Sequence, residues 1–269
     1  MAKMRLDALM VERGLAENRS IAQRLVMSGR VRVEGQPAFK PGMSVPVEAD
    51  LNVTPGEEFV SRGGEKIKSA LQAFNVDIRG MICADVGAST GGFTDCLLQH
   101  GAAKVYAIDV GHGILAWTLR QDSRVMVMER RNARYIDCLP EPVSLITVDV
   151  SFISLKLLLP VFKGWFKTSP LNPEEQEVRG SIIALIKPQF EAGRTEVRRG
   201  QGVIRDPQVH RQVLSDVLSF AQQESYDVKG LIRSPLLGPK GNSEFLAWLT
   251  YPATAPGQLE EIIDQVVPN

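Results

Sequence analysis

The sequence has no excess of either charge: 31 Lys and Arg residues balance 31 Asp and Glu residues over 269 positions. A chain that is basic or acidic throughout is thereby excluded, although a local nucleic-acid footprint is not. Cysteine is scarce. Cys83, Cys96 and Cys138 form an odd set without a CxxC pair, which argues against a disulfide framework or a cysteine zinc site and fits incidental thiols in a reducing compartment. Long hydrophobic runs are missing too. The longest apolar window, Val143–Phe166, is broken by Asp149, Lys156, Pro160 and Lys163, so it does not read as a membrane span. The charged start, with Lys3, Arg5 and Asp7, contains no apolar signal region, and a cytoplasmic location is expected. Repeats and low-complexity tracts are absent. What is left is an ordinary globular composition, 44% hydrophobic and 23% charged, compatible with one large α/β domain or a small module joined to a larger one.

The balance of charge is not kept locally. Residues 1–32 carry seven cations (Lys3, Arg5, Arg13, Arg19, Arg24, Arg30, Arg32) against three anions (Asp7, Glu12, Glu17), a net of +4. Within RLDALMVER, Leu6, Leu9 and Met10 fall at helical spacing, and Gly14 follows as the stop. Asn18 or Ser20 suits the cap of a second helix, Ser20–Met27, and strands are expected at VRVEGQ and around Val45–Val53. Two short helices and a small sheet over roughly 55 residues make only a thin core, so this segment reads as a module with a dedicated task.

The stretch RLDALMVERGLAENRSIAQRLVMSGRVRVEGQPAFKPG resembles the alpha-L RNA-binding motif found in a small-subunit ribosomal protein, tyrosyl-tRNA synthetases and pseudouridine synthases. Arg5, Arg13, Arg19, Arg24, Arg30 and Lys40 fall on that motif's basic and turn positions. The resemblance implies an RNA-binding surface, with Arg5, Arg13, Arg19, Arg24 and Lys40 contacting phosphates and reading shape rather than sequence. A solvated helix face is the alternative for the same arginines.

TPGEEFVSRGG (54–64) reads as a linker, giving a module over residues 1–60 and a larger domain over 61–269. In the larger part, apolar strand candidates (Met81–Val86, Lys104–Ile108, Val125–Met128, Val143–Val148, Ser181–Ile186) alternate with helical runs (Lys66–Phe74, Phe93–His100, Ile114–Arg120 and one after Ser154). This pattern predicts an α/β fold with a doubly wound, Rossmann-like parallel sheet covered on both faces. A long polar loop (187–205), a helix over Pro207–Glu224 and an edge hairpin from Val228–Arg233 and Glu244–Tyr251 complete the expected order.

CADVGASTGGFTD (83–95) is a strand running into a glycine loop and a helix, the arrangement that brings backbone and helix N–H groups close to a nucleotide-type ligand. A dinucleotide fingerprint would read GxGxxG, but Ser89 occupies the second glycine position. S-adenosylmethionine, which has no pyrophosphate to cradle, suits this looser loop. Asp85, Gly87, Ser89, Thr90, Gly91, Gly92 and Phe93 form the candidate cofactor loop. Asp109 at the end of the next strand is placed for ribose hydroxyls, or alternatively for a helix cap, and Asn132 for the adenine edge. Four charged residues stand at element ends: Lys66, Asp149, Lys187 and Glu244. In an open α/β sheet, strand C-termini border the ligand crevice, so Asp149 and Lys187 are expected near the cofactor's methyl group. A Lys–Asp–Lys–Glu set suits activation of a weak sugar-hydroxyl nucleophile, and a sulfonium leaving group requires no metal. Two structural salt bridges are the alternative. In EAGRTEVRRGQGVIR (191–205), Arg194, Arg198, Arg199 and Arg205 suit phosphate contacts or an ordinary solvated loop. Phe152 and Phe190 suit base stacking, with core packing the preferred reading for Phe152.

In this order behind the basic module, SRGGEK, DVGASTGGFTD, AIDVGHG, VDVSFISL, LIKPQFEAG and GNSEFL closely resemble the TlyA family, whose members carry an FtsJ-like methyltransferase domain and are often labelled haemolysins. The resemblance implies S-adenosylmethionine-dependent 2'-O-methylation of cytidines in ribosomal RNA, with rRNA or ribosomal subunits as partners. It places the family's catalytic tetrad on Lys66, Asp149, Lys187 and Glu244, and its cofactor loop on Asp85–Phe93. A membrane-active haemolysin and an RNA- or ribosome-binding protein without catalysis are the competing classes.

Overall fold

The computed structural model describes residues 2–54, 56–166, 179–193, 196, 200–254 and 257–267. The chain divides into two compact units, Met1–Glu58 and Phe59–Asn269.

In the first unit, β1 (Lys3–Arg5) leads directly into α1 (Leu6–Glu12), then α2 (Arg19–Met27) and four short strands, β2 (Val31–Val33), β3 (Gln36–Ala38), β4 (Ser44–Pro46) and β5 (Leu51–Val53). β2 pairs antiparallel with β3 and β5, and β1 with β4. The helical spacing of Leu6, Leu9 and Met10 puts them into one core with Ala22, Val26, Val31 and Val45. Of the two candidate caps for α2, Asn18 is used: its Oδ1 accepts the Ile21 N–H at 3.0 Å.

The second unit contains, in order, α3 (Gly63–Phe74), β6 (Ile82–Val86), α4 (Gly92–Gln99), β7 (Lys104–Asp109), α5 (Trp117–Arg120), β8 (Val125–Glu129), β9 (Leu145–Val148), α6 (Leu159–Phe162), β10 (Gly180–Ile186), α7 (Pro188–Glu191), α8 (Pro207–Gln223), β11 (Asp227–Arg233), β12 (Phe245–Tyr251) and α9 (Leu259–Val266). Its seven strands lie in the order β11-β12-β10-β9-β6-β7-β8. β6 to β10 run parallel, and β12 is inserted antiparallel between β10 and β11. Alternate residues feed two apolar clusters: Ala84, Val86, Tyr106, Ile108, Ile146 and Val148 join one, while Cys83, Val105, Ala107 and Leu145 join the other. This is why the strand sequences read as nearly unbroken apolar runs: both faces are covered.

Local departures from the sequence expectations have identifiable causes. Phe59, placed in the linker by composition, is buried, its ring lying where a Cβ on Gly64 would come within 2.1 Å of its Cγ. Gly63 and Gly64 therefore belong to α3, and Lys66 falls within its first turn rather than at its start. Residues 114–116 are not helical, because Ala116 N–H donates to the Thr90 carbonyl at 3.0 Å and leaves only Trp117–Arg120 as a helix. β9 begins at Leu145, two residues after Val143, whose N–H donates to the Trp165 carbonyl. Cys83 and Cys96 are buried, Cys138 is exposed, and all three are free thiols.

Candidate active site

From β6 the chain moves to β7 and β8 on one side of the sheet and returns to β9 on the other. The crevice beyond the C-termini of β6 and β9 is thus the topological switch point, where open α/β sheets bind ligands. A cavity of about 390 Å³ opens there, lined by Gly87, Ser89, Asp109, Asn132, Asp149 and Phe152 among others. Gly87 has φ +84°, and a Cβ on it would lie 2.3 Å from the Asp149 carbonyl oxygen. Only glycine allows the ends of β6 and β9 to close to this degree. Ser89, the residue that departs from the dinucleotide fingerprint, also has positive φ (+51°). Its N–H donates to Asp109 Oδ2 at 2.8 Å, while Gly111 N–H donates to Oδ1 at 2.7 Å. Asp109 thus ties the glycine loop to the following one and still faces the cavity.

The remaining loop candidates do not line this cavity. Asp85 is fully buried beneath the loop: Oδ2 accepts the N–H and hydroxyl of Thr94 (2.9 and 2.7 Å), and Oδ1 accepts the Thr147 hydroxyl at 3.1 Å. Burial pushes its carboxyl up to about 7, against the pull of the threonine hydrogen bonds. Thr90 stands behind, with its carbonyl engaged by Ala116. Gly91 and Gly92 serve packing, since a Cβ on either would come within 2.3 Å of Leu119 Cδ1 or Ser61 Oγ respectively. Phe93 is a core residue. Thr94 and Thr147 escaped the sequence reading; a buried acid needs donors close at hand, and the Thr two residues beyond Gly92 was the visible hint.

The four charged candidates form two ion pairs. Lys187 Nζ lies 2.5 Å from Asp149 Oδ1 and donates to Ser151 Oγ at 3.1 Å. Lys66 Nζ donates to Glu244 Oε2 at 2.6 Å. Glu244 stands immediately before β12 and is buried against Gly238, where a Cβ would come within 2.2 Å of Oε1. Glu244 Oε1 is buried without a hydrogen-bond donor, whereas Asp149 Oδ1 is held by the Lys187 ammonium.

Phe152 corrects the expectation of core packing. It is 90% exposed at the rim of the cavity, with φ +65°. The left-handed turn after β9 directs its side chain away from the sheet, and its ring centroid lies 4.9 Å from that of Phe190.

In the first unit the basic residues divide by environment. Asp7, fully buried, accepts from Arg5 Nε and Nη2 (3.0 and 2.8 Å), Gln23 Nε2 (2.9 Å) and Arg19 Nη2 (3.3 Å). The Arg5 guanidinium above all holds its carboxyl well below the usual carboxylate range. Arg13, placed in the phosphate-contacting set by its sequence position, donates to the carbonyls of Val47 and of Ala49 (2.6 Å to the latter) and braces the fold. Arg24 and Lys40 are exposed and make no side-chain hydrogen bond or ion pair among the described residues. Arg194, Arg198 and Arg199 lie outside the described residues.

A dinucleotide sheet is parallel in the order 3-2-1-4-5-6; here the corresponding order is interrupted by an antiparallel strand between the fifth and sixth positions. With the glycine loop at the switch point, this defines a Rossmann-like methyltransferase fold. Residues 59–251 match the FtsJ-like methyltransferase family, and residues 4–51 match the S4 domain. The chain is 48% identical over 255 residues to a Bacillus subtilis protein provisionally named rRNA methyltransferase YqxC, covering 93% of this chain and 86% of that protein. It is 43% identical over 251 residues to a Mycobacterium tuberculosis protein named 16S/23S rRNA (cytidine-2'-O)-methyltransferase TlyA, covering 92% and 90%. A solved structure from Streptococcus thermophilus, provisionally called a hemolysin, superimposes with a TM-score of 0.69 at 40% identity, covering 98% of this chain and 96% of that one. The chain belongs to the FtsJ-like methyltransferase family, in its TlyA group.

Proposed function

We propose that this protein transfers a methyl group from S-adenosylmethionine to the 2'-hydroxyl of a cytidine in ribosomal RNA. The observation that carries the reading is the Lys187–Asp149 ion pair, whose Asp149 lines the switch-point cavity. The name of the TlyA relative supplies the nucleotide and the RNA class; the match to an S4 domain supplies the RNA-binding module.

The lining fits the cofactor. Gly87 presents no side chain to bar close approach, and Asp109, though it already accepts two N–H groups, retains lone pairs for ribose hydroxyls. Asn132, whose Oδ1 accepts the Arg134 N–H at 3.1 Å, keeps its amide NH2 group for the adenine end, and Asp149 lies at the methyl end. Asp85, Thr90, Gly91, Gly92 and Phe93 act on cofactor binding by shaping the loop from behind. When bound, S-adenosylmethionine supplies an electrophilic methyl on a sulfonium centre.

The protein's own contribution is to present and deprotonate the hydroxyl. In the resting structure each lysine lies beside a carboxylate and acts as a donor. The Lys187–Asp149 pair is placed to orient the 2'-hydroxyl and to take up its proton. Lys66 and Glu244 hold the ribose, and Glu244 Oε1 offers a vacant acceptor for a sugar hydroxyl. Exposed Phe152 with Phe190 provides an aromatic surface beside this point for the target base. Arg5, Arg19, Arg24 and Lys40 contact phosphates.

Tritiated methyl transfer from S-adenosylmethionine to unmodified ribosomal RNA tests the reading, together with a map of ribose methylation in cells with and without the gene. Binding of RNA without transfer would leave only a ribosome-binding role. The membrane-active alternative predicts leakage of dye-loaded liposomes; no helix among the described residues is long and apolar enough to cross a membrane.

A further inference from the structure

The loop after β9 carries Asp149 at its start and turns through Phe152 at φ +65°, a backbone conformation that a bulky L residue keeps only where its surroundings hold it there. The surroundings are one short turn of chain, Lys187 to Glu191. At the near end of the loop, Lys187 Nζ meets Asp149 Oδ1 at 2.5 Å and Ser151 Oγ at 3.1 Å. In the middle, the Phe190 ring lies 4.9 Å from that of Phe152. At the far end, Glu191 Oε2 accepts the Ser154 hydroxyl at 2.6 Å, and Oε1 accepts the Leu155 N–H at 2.8 Å. Both Glu191 oxygens are thus engaged by the loop across 36 and 37 positions of sequence.

We propose that Glu191 is a positioning residue for methyl transfer: by clamping Ser154 and Leu155 it fixes the loop that aims Asp149 at Lys187 and at the cavity. This rests on the reading of Asp149 and Lys187 as catalytic. Charge-assisted hydrogen bonds to a carboxylate are strong and directional, and a misplacement near 1 Å at a reacting group is enough to slow a reaction about 100-fold. Glutamine can preserve the clamp, because its carbonyl accepts from Leu155 and its amide donates to the Ser154 hydroxyl; alanine cannot.

The test combines steady-state kinetics with tritiated S-adenosylmethionine and unmodified ribosomal RNA, cofactor affinity by calorimetry, and amide hydrogen exchange. Glu191→Ala is expected to lower kcat about 10- to 100-fold while the RNA KM and cofactor Kd stay within about threefold. Exchange should quicken over residues 151–155 and remain unchanged in β6 and α8. Glu191→Gln is expected to recover kcat to within about threefold of wild type, and Ser154→Ala to fall between the two. A Glu191→Ala kcat at the wild-type level overturns the proposal, as does a Glu191→Gln as slow as the alanine variant or a kcat loss matched by lost cofactor affinity. If wild-type protein itself transfers no methyl group, the parent reading of the site fails; wild-type transfer that is indifferent to Glu191 refutes the clamp alone.

Discussion

Asp7 in the first unit and Asp149 with Glu244 in the second are all acids held beside cations, yet their surroundings are finished differently. Asp7 is saturated: two arginines and a glutamine supply four donor contacts, and none of the acid is exposed. Glu244 keeps a buried oxygen with no hydrogen-bond donor, and Asp149 meets the single Lys187 ammonium at 2.5 Å. Leaving such an acceptor unpaired costs about 1–3 kcal/mol. The saturated acid organises a surface, fixing the directions of Arg5 and Arg19. The unsaturated acids belong to a site that a substrate's hydroxyl groups would complete. The difference separates structural from reactive charge more sharply than burial does, since Asp7 and Glu244 are almost equally buried.

The widest test of this distinction is Lys187→Ala. Loss of the group that handles the hydroxyl proton is expected to lower methyl transfer about 10²- to 10⁴-fold, measured as tritium incorporated into ribosomal RNA, with cofactor affinity nearly intact. Should transfer survive while the melting temperature drops, the Lys187–Asp149 pair would be structural and the comparison with Asp7 would collapse. Gly87→Ala comes next. Its added Cβ would meet the Asp149 carbonyl at 2.3 Å on a backbone of φ +84°, so strain and overpacking of a few kcal/mol should raise the cofactor Kd at least about 10-fold by calorimetry while RNA affinity is kept.

Much of this was legible in the chain. Nearly continuous apolar strands alternating with helices specify a two-faced sheet, and CADVGASTGGFTD locates its switch point because close approach of β6 and β9 requires glycine at position 87. The edge hairpin was visible too, but not its order, with β12 inserted inside β11, because strand pairing across long connections leaves no local trace. For the same reason Lys66 and Glu244, 178 positions apart, were recognisable as charged residues at element ends but not as partners. Asp85 and Asp109 look alike as acids at the ends of neighbouring strands, yet their burial separates them: one lies beneath the loop and the other faces the cavity. Arg13 looked like its basic neighbours, since nothing in its spacing reveals that the Val47 and Ala49 carbonyls lie within reach. Phe152 was misread because an aromatic residue after an apolar strand usually packs inward; the positive φ that turns it out is a property of the fastened loop.

Acid–base behaviour sharpens the comparison through a second pair of buried aspartates. Asp85 has no cation within its hydrogen-bond set, and burial raises its carboxyl from the ordinary 3.8 to about 7. The folded protein therefore binds this proton more tightly than the unfolded chain. The resulting stability is complete below pH 3.8 and is lost as pH rises through about 7. Asp7 has the opposite sign. Its carboxyl is depressed by Arg5, so its contribution is present above 3.8 and lost as pH falls below that value. Urea midpoints measured from pH 3 to 8 should show Asp85→Asn flattening the decline between about pH 4 and 7, and Asp7→Asn flattening the decline on the acid side. Identical profiles for the two variants would mean that the partners of each acid do not decide its role.

The smallest expected effect discriminates most finely. Asp7→Asn should cost about 1.5–3 kcal/mol of stability, the range for hydrogen bonds to a charged group, and weaken RNA binding by loosening Arg5 and Arg19, while kcat at saturating RNA stays unchanged. Arg24→Ala, at an exposed position without a side-chain partner among the described residues, should leave stability alone and reduce the salt slope of RNA binding by about 1. Titrating RNA affinity against salt for both variants separates an acid that orients cations from a cation that meets phosphate directly. If Asp7→Asn instead lowers kcat with RNA affinity intact, then a saturated acid contributes to catalysis, and an unpaired acceptor is no longer a sufficient mark of the reactive site.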